Sequence, residues 1–173
     1  GSRSHSETGN PYCSNICCMN TVKDSLLLKD HYPDTEISVF YMDIRAFGKG
    51  FEDLYIRSKK AGVQYIRGLP GEIFEDPKTN DLKLIVEDTV ANTVKDYDFD
   101  LVVLSVGMEI SQETVDVAKQ LGIELTDGNF SKTDSVNPIA TQRKGIYVCG
   151  AFNGPKYIPD SVMEASAAAC SAG

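Results

Sequence analysis

Apolar residues recur at three-to-four spacing between positions 14 and 31. Ile16, Met19, Val22, Leu26 and Leu27 form one stripe, while Asp24 and Lys29 fall off it. That period predicts an amphipathic helix over 14–31, with Pro33 just beyond its end. The run EISVFYMD (36–43) is β-branched and aromatic, and predicts a strand buried on both faces. After a loop, residues 50–61 predict a second helix with Phe51, Leu54 and Tyr55 inward, closed by Gly62. VQYIRG (63–68) predicts a short strand. The period then changes to alternation. GEIFEDPKTNDLKLIVEDT predicts two strands joined by a Pro-Lys-Thr-Asn-Asp turn, and NTVKDYDF a third. DLVVLSVG (100–107) predicts a buried, parallel-type strand, and residues 111–121 a helix ending before Gly122. Residues 124–144 are irregular and polar, GIYVCG (145–150) predicts a strand, and DSVMEASAAAC (160–170) a helix of small residues.

This order predicts an α/β nucleotide-binding fold in three layers with a β-meander inserted. The first helix has no strand before it in the sequence, so the sheet is expected to be incomplete at its first strand. With 173 residues and 42% hydrophobic content, the chain is long enough to bury a core. No apolar run approaches the roughly 18 residues of a membrane span. A net charge of −8 disfavours a nucleic-acid partner, because phosphate neutralisation needs a cationic face. Without its upstream strand the sheet would expose an edge, which invites pairing between chains and a homodimer. Gly1-Ser2 reads as a tag scar or as native sequence.

Three of the five cysteines fall within six residues, in NPYCSNICCMN (10–20). An odd number of cysteines clustered at one end is a poor disulfide framework and points to a reducing, cytoplasmic compartment. Adjacent cysteines fit a relaxed disulfide badly. Thiol–disulfide exchange at Cys17-Cys18 therefore ranks below metal or cluster ligation by Cys13, Cys17 and Cys18. Zinc usually requires a second half-site, which is absent from the sequence. The alternative is a set of thiols with no ligand at all. Cys149, in an apolar strand, and Cys170, in a small-residue helix, are expected to pack rather than ligate. There is no G-x-G-x-x-G; GKGFED (48–53) is a half-match, so NAD(P) binding is disfavoured.

Two blocks carry a family resemblance. NPYCSNICCMNTVKDSLLLKDHYPDTEISVFYMDIRAFGKGFEDLY resembles the middle of the iron–sulfur flavoprotein subunit of CoB–CoM heterodisulfide reductases. GIYVCGAFNGPKYIPDSVMEASAAA resembles that family's C-terminal FAD-binding segment. The resemblance implies a thioredoxin-reductase-like core, with residues 1–110 as a pyridine-nucleotide-like domain carrying the cluster motif. Residues 111–173 would be the C-terminal part of a split FAD-binding domain. It implies a [4Fe–4S] cluster held by Cys13, Cys17, Cys18 and a fourth cysteine just upstream of Gly1. It also implies FAD bound along Gly150, Ala151, Ile158, Pro159, Asp160 and Ser161. Many related flavoproteins have Asp where this chain has Ala151, which leaves the ribityl hydrogen bond unassigned. Lys23 matches a lysine near the flavin N5 edge in the family; its other reading is a solvated helix face. The implied role is electron transfer between flavin and clusters in methanogenesis. The implied partners are other heterodisulfide reductase subunits and a hydrogenase or ferredoxin-type electron donor. A contrasting expectation is a cofactor-free module that docks to sister subunits.

Overall fold

The computed structural model describes residues 9–173. Expectations that concern Gly1–Arg3 lie outside the described residues. The chain divides into two compact units: Cys18–Ser105, and the segment up to Cys17 together with Val106–Gly173.

The first of these holds helix α1 (Cys17–His31), followed by strand β1 (Ser38–Tyr41), helix α2 (Phe51–Lys60), and strands β2 (Gln64–Glu75), β3 (Leu82–Asp88) and β4 (Thr93–Phe99). The four strands form one mixed sheet in the order β1-β2-β3-β4. β1 and β2 run parallel, with Ser38 opposite Gln64 and Tyr41 opposite Arg67, and α2 is the crossover that parallel pairing requires. The sequence suggests a separate strand at 63–68 followed by a meander. In the structure one strand serves both. From Gly68 onward β2 leaves β1 and pairs antiparallel with β3. A register shift between Pro70 and Glu72 marks the bend, where proline has no N–H to give the ladder. Gly68 permits the change of partner: a Cβ there would lie 2.4 Å from the Glu87 carbonyl oxygen.

Both meander turns use side-chain carboxylates. Asp76 accepts the Lys78 N–H at 2.8 Å, and Asp88 accepts those of Val90 and Ala91 at 3.0 and 2.9 Å. Asn80 and Asn92 supply the left-handed backbone these turns need, with φ of 63° and 53°. The core of this unit is built from Val22, Leu26, Val39, Val63, Leu84 and Val86. β1 is not buried on both faces as expected. It has one sheet neighbour among the described residues, and only Val39 in it is buried.

The second unit holds helix α3 (Gln112–Leu121), a 3₁₀ turn (Gly150–Asn153) and helix α4 (Ile158–Ala172). Ser111 caps α3 by accepting the Thr114 N–H, and Gly122 closes it at φ 68°. Val115, Ala118, Ile123, Phe130, Ile139 and Val148 form this unit's core.

Several expected elements differ. α1 starts at Cys17 rather than 14, because Asn15 is left-handed at φ 61° and cannot continue a right-handed helix. α4 starts at Ile158, two residues earlier than expected. Residues 100–107 are not a buried strand. They have no ladder partner among the described residues, and Leu101, Val103, Leu104 and Val106 are each at least 70% exposed. Residues 145–150 make one isolated bridge, Tyr147 to Ala140, instead of a strand. In both cases the apolar composition is present without the neighbouring backbone that turns it into sheet.

Candidate functional site

The segment from Gly150 to Ser161 joins the 3₁₀ turn to the start of α4. Gly150 adopts φ 70°, a conformation that strains any residue with a Cβ. Its N–H donates to Glu164 Oε2 at 2.9 Å, and Lys156 Nζ binds Glu164 Oε1 at 2.5 Å. Both charged side chains are mostly buried, 12% and 16% exposed, so Glu164 ties the turn at Gly150 to α4. Tyr157 is the residue before α4, and its carbonyl accepts both the N–H and the Oγ–H of Ser161 at 3.1 Å. No side chain caps the helix, and Pro159 sits in its first turn. An uncapped helix start presents backbone N–H groups and the positive end of the dipole. Ala151, Ile158, Pro159 and Asp160 are exposed, while Gly150 and Ser161 are half-buried. The sequence-predicted flavin residues thus form one continuous strip. Its open backbone, left-handed glycine and uncapped helix start fit the polar flank of a flavin dinucleotide.

The cysteine-bearing loop packs in the same unit. Ser14 is fully buried and its Oγ accepts the Met108 N–H at 2.7 Å. Tyr12 donates its hydroxyl to the Met108 carbonyl at 2.9 Å and meets Phe130 edge-on at 5.0 Å. Burial, and then the nearby Glu109 carboxylate, raise the Tyr12 phenol above its usual pKa. Asn15 donates Nδ2–H to the Pro155 carbonyl at 2.9 Å, and Tyr157 donates its hydroxyl to the Asn15 carbonyl. Sequence reasoning missed Asn15, Lys156 and Glu164. The only signal was an asparagine between two cysteines and, on a small-residue helix, a second carboxylate one turn beyond Asp160.

Cys13, Cys17 and Cys18 are half-buried thiols. Cys13 Sγ accepts the Asn15 N–H at 3.4 Å, and Cys18 Sγ donates to the Asp43 carbonyl at 3.7 Å. Their chemistry suits iron. Yet no three His, Cys, Asp or Glu side chains among the described residues gather as a metal-holding group. Cys149 and Cys170 were expected to be packed; both are exposed. Cys149 lines an apolar groove of about 320 Å³ with Val117, Leu121, Ile146, Val148 and Phe152. Lys23 is exposed on α1 and pairs with Asp24 at 2.9 Å.

The family described as Pyridine nucleotide-disulphide oxidoreductase matches residues 42–170. The chain belongs to that family. Among solved structures, this pyridine nucleotide-disulphide oxidoreductase chain is similar to Lactococcus lactis thioredoxin reductase. The TM-score is 0.66 at 20% identity, over 88% of this chain and 48% of that one, a likeness of fold. Two curated relatives match nearly all of it. One, from Methanococcus maripaludis, is a subunit of an H(2)/formate:CoB-CoM heterodisulfide,ferredoxin reductase, 46% identical over 98% of this chain. The other, from Methanopyrus kandleri, is an iron-sulfur subunit of CoB--CoM heterodisulfide reductase, 47% identical over 99% of it. The chain spans 26% of the length of each. The family match begins at residue 42 and leaves out Cys13, Cys17 and Cys18. No helix among the described residues is long and apolar enough to cross a membrane.

Proposed function

We propose that this chain is part of an FAD-containing electron-transfer subunit of the heterodisulfide reductase type, acting in the cytoplasm in anaerobic energy metabolism. One observation carries the reading. Similarity to the heterodisulfide reductase subunits covers almost the whole chain, including the cysteine-bearing segment that lies before the pyridine nucleotide-disulphide oxidoreductase match. A bound flavin would supply the exchange between paired and single electrons. The chain's own residues hold and orient it. Gly150 and Ala151 let backbone approach, the Ile158–Ser161 helix start presents N–H groups to a negative flank, and Glu164 with Lys156 fixes the turn between them. Lys23 is proposed as a cation near the flavin.

Cys13, Cys17 and Cys18 are proposed as cluster ligands on the strength of thiol chemistry and the relatives, with the thiols gathering only when iron binds. The functional division proposed is 1–110 for the cluster-bearing part and 111–173 for the flavin part. Partners are proposed to be sister subunits and a hydrogenase or ferredoxin-type donor. A second reading, a docking module that works without cofactor, is favoured by the exposed apolar run Leu101–Val106. The same run supports self-association into a homodimer.

Anaerobic reconstitution of the full-length chain with iron, sulfide and FAD tests the proposal. Iron counting, EPR of the reduced sample and flavin fluorescence are the readouts. Bound FAD, and a loss of about four irons per chain when Cys13, Cys17 and Cys18 are replaced by serine, are the expected result. A chain that binds a sister subunit but neither flavin nor iron would establish the docking reading instead.

A further inference from the structure

We propose that Asn15 and Tyr157 are positioning residues that join the cysteine-bearing loop to the flavin-binding segment, so that occupancy of the segment orders the loop around Cys13. This rests on the reading of residues 150–161 as the flavin-binding strip. Asn15 lies midway between Cys13 and Cys17, and three of its groups point to the two sides of the junction. Its N–H donates to Cys13 Sγ at 3.4 Å. Its side-chain Nδ2–H donates to the Pro155 carbonyl at 2.9 Å, and its carbonyl accepts the Tyr157 hydroxyl. Its left-handed backbone, φ 61°, lets the amide face the sulfur while the side chain faces the strip.

Tyr157 has two tasks at once. Its carbonyl accepts the first N–H bonded within α4, from Ser161, and its hydroxyl holds Asn15. Any ligand that orders the start of α4 therefore orders the Asn15 carbonyl, and through the Asn15 backbone the N–H of the same residue that donates to Cys13. The near side of the loop is anchored elsewhere, since Tyr12 and Ser14 both bind Met108. The loop is thus pinned at one end by residue 108 and at the other by the strip. Hydrogen bonds to a cysteine sulfur tune its properties as a ligand. A coupling between flavin and Cys13 must also be reciprocal in binding free energy.

Hydrogen exchange read by mass spectrometry on the iron-free, full-length chain tests the coupling without requiring activity or a cluster. The wild type, Tyr157→Phe, Asn15→Gly and Tyr12→Phe are compared with and without saturating FAD, with binding followed by flavin fluorescence. Asn15→Gly keeps the left-handed backbone while removing Nδ2. In the wild type FAD should slow exchange in the 10–17 peptide about fivefold or more, the low end of ordinary coupling. Tyr157→Phe should lose that slowing while peptide 150–161 stays protected by FAD. Asn15→Gly should lose part of it, and Tyr12→Phe should retain it. Protection confined to 150–161 in the wild type, or retained in full by Tyr157→Phe, overturns the proposal. No FAD binding by any variant, with exchange in 150–161 unchanged, sinks the flavin reading itself and the coupling with it.

Discussion

Ser58 shows how much one small polar side chain can hold. It is fully buried on α2, donates to the Tyr55 carbonyl at 2.7 Å and shares a 2.7 Å hydrogen bond with the Tyr65 hydroxyl. Tyr65 stacks edge-on against Tyr55 at 4.8 Å, and the Lys59 ammonium lies 4.3 Å over the Tyr55 ring. Replacing Ser58 by Ala leaves the Tyr65 hydroxyl short of a partner and should cost about 1–2 kcal/mol in denaturant unfolding. Burial raises the Tyr65 phenol above its usual pKa. The folded state therefore prefers the neutral phenol more than the unfolded chain does. The stability this contributes is fully present below about pH 10 and lost as pH rises through the higher folded value. A phenolate absorbance titration should show one fewer late-ionising tyrosine in Tyr65→Phe than in the wild type, with Tyr12 still ionising late in both. None of this was legible in the sequence. The helical period marked Phe51, Leu54 and Tyr55 as inward and left Ser58 unmarked, because burial of a polar residue is a property of its neighbours.

Among the elements, β2 is the one whose behaviour the residues only half announced. Alternation after Gly68 was read correctly as antiparallel meander, and VQYIRG before it only as a short strand of its own. That both belong to one continuous strand of twelve residues depends on which backbone lies beside each half. Gly68 stands where the partner changes, and an added methyl would meet the Glu87 carbonyl at 2.4 Å and the Val86 side chain at 2.9 Å. Gly68→Ala should destabilise the sheet by about 1–3 kcal/mol. Faster hydrogen exchange in β3 than in α3 would locate the damage there. Uniformly unchanged protection would show that the strands shift apart at no cost. The start of α1 has a similar lesson. Apolar spacing extended the helix back to 14, but Asn15 and the burial of Ser14 against Met108 end it at Cys17.

At the level of the whole molecule, the chain passes between its two compact units near residues 17 and 105. The second passage runs through the exposed, unladdered stretch Leu101–Val106. Exposed backbone outside any ladder is what a protease needs. Limited digestion of this 173-residue chain with thermolysin should therefore cut first within 101–106, before the turns at Asp76 and Asp88, whose side chains hold the backbone. A first cut in either meander turn would mean the stretch is covered in solution, as self-association would make it.

The sequence by itself determined the helices to within a few residues at their ends, the three meander strands, the first of their turns and the cysteine motif. Those follow from local period, from asparagine and aspartate at turns, and from residue chemistry, all carried by near neighbours in the chain. It also brought Gly150 to Ser161, the strip proposed for the flavin, together as one contiguous run. Only the tertiary structure decided that the apolar runs at 100–107 and 145–150 do not become ladders, since a strand exists only where a second backbone meets it. It alone placed Asn15 against Pro155 and Tyr157, some 140 residues away, and set Glu164 under Gly150. Hydrogen bonds at that separation leave no periodic trace in the sequence, because each needs one donor and one acceptor brought together by everything folded between them.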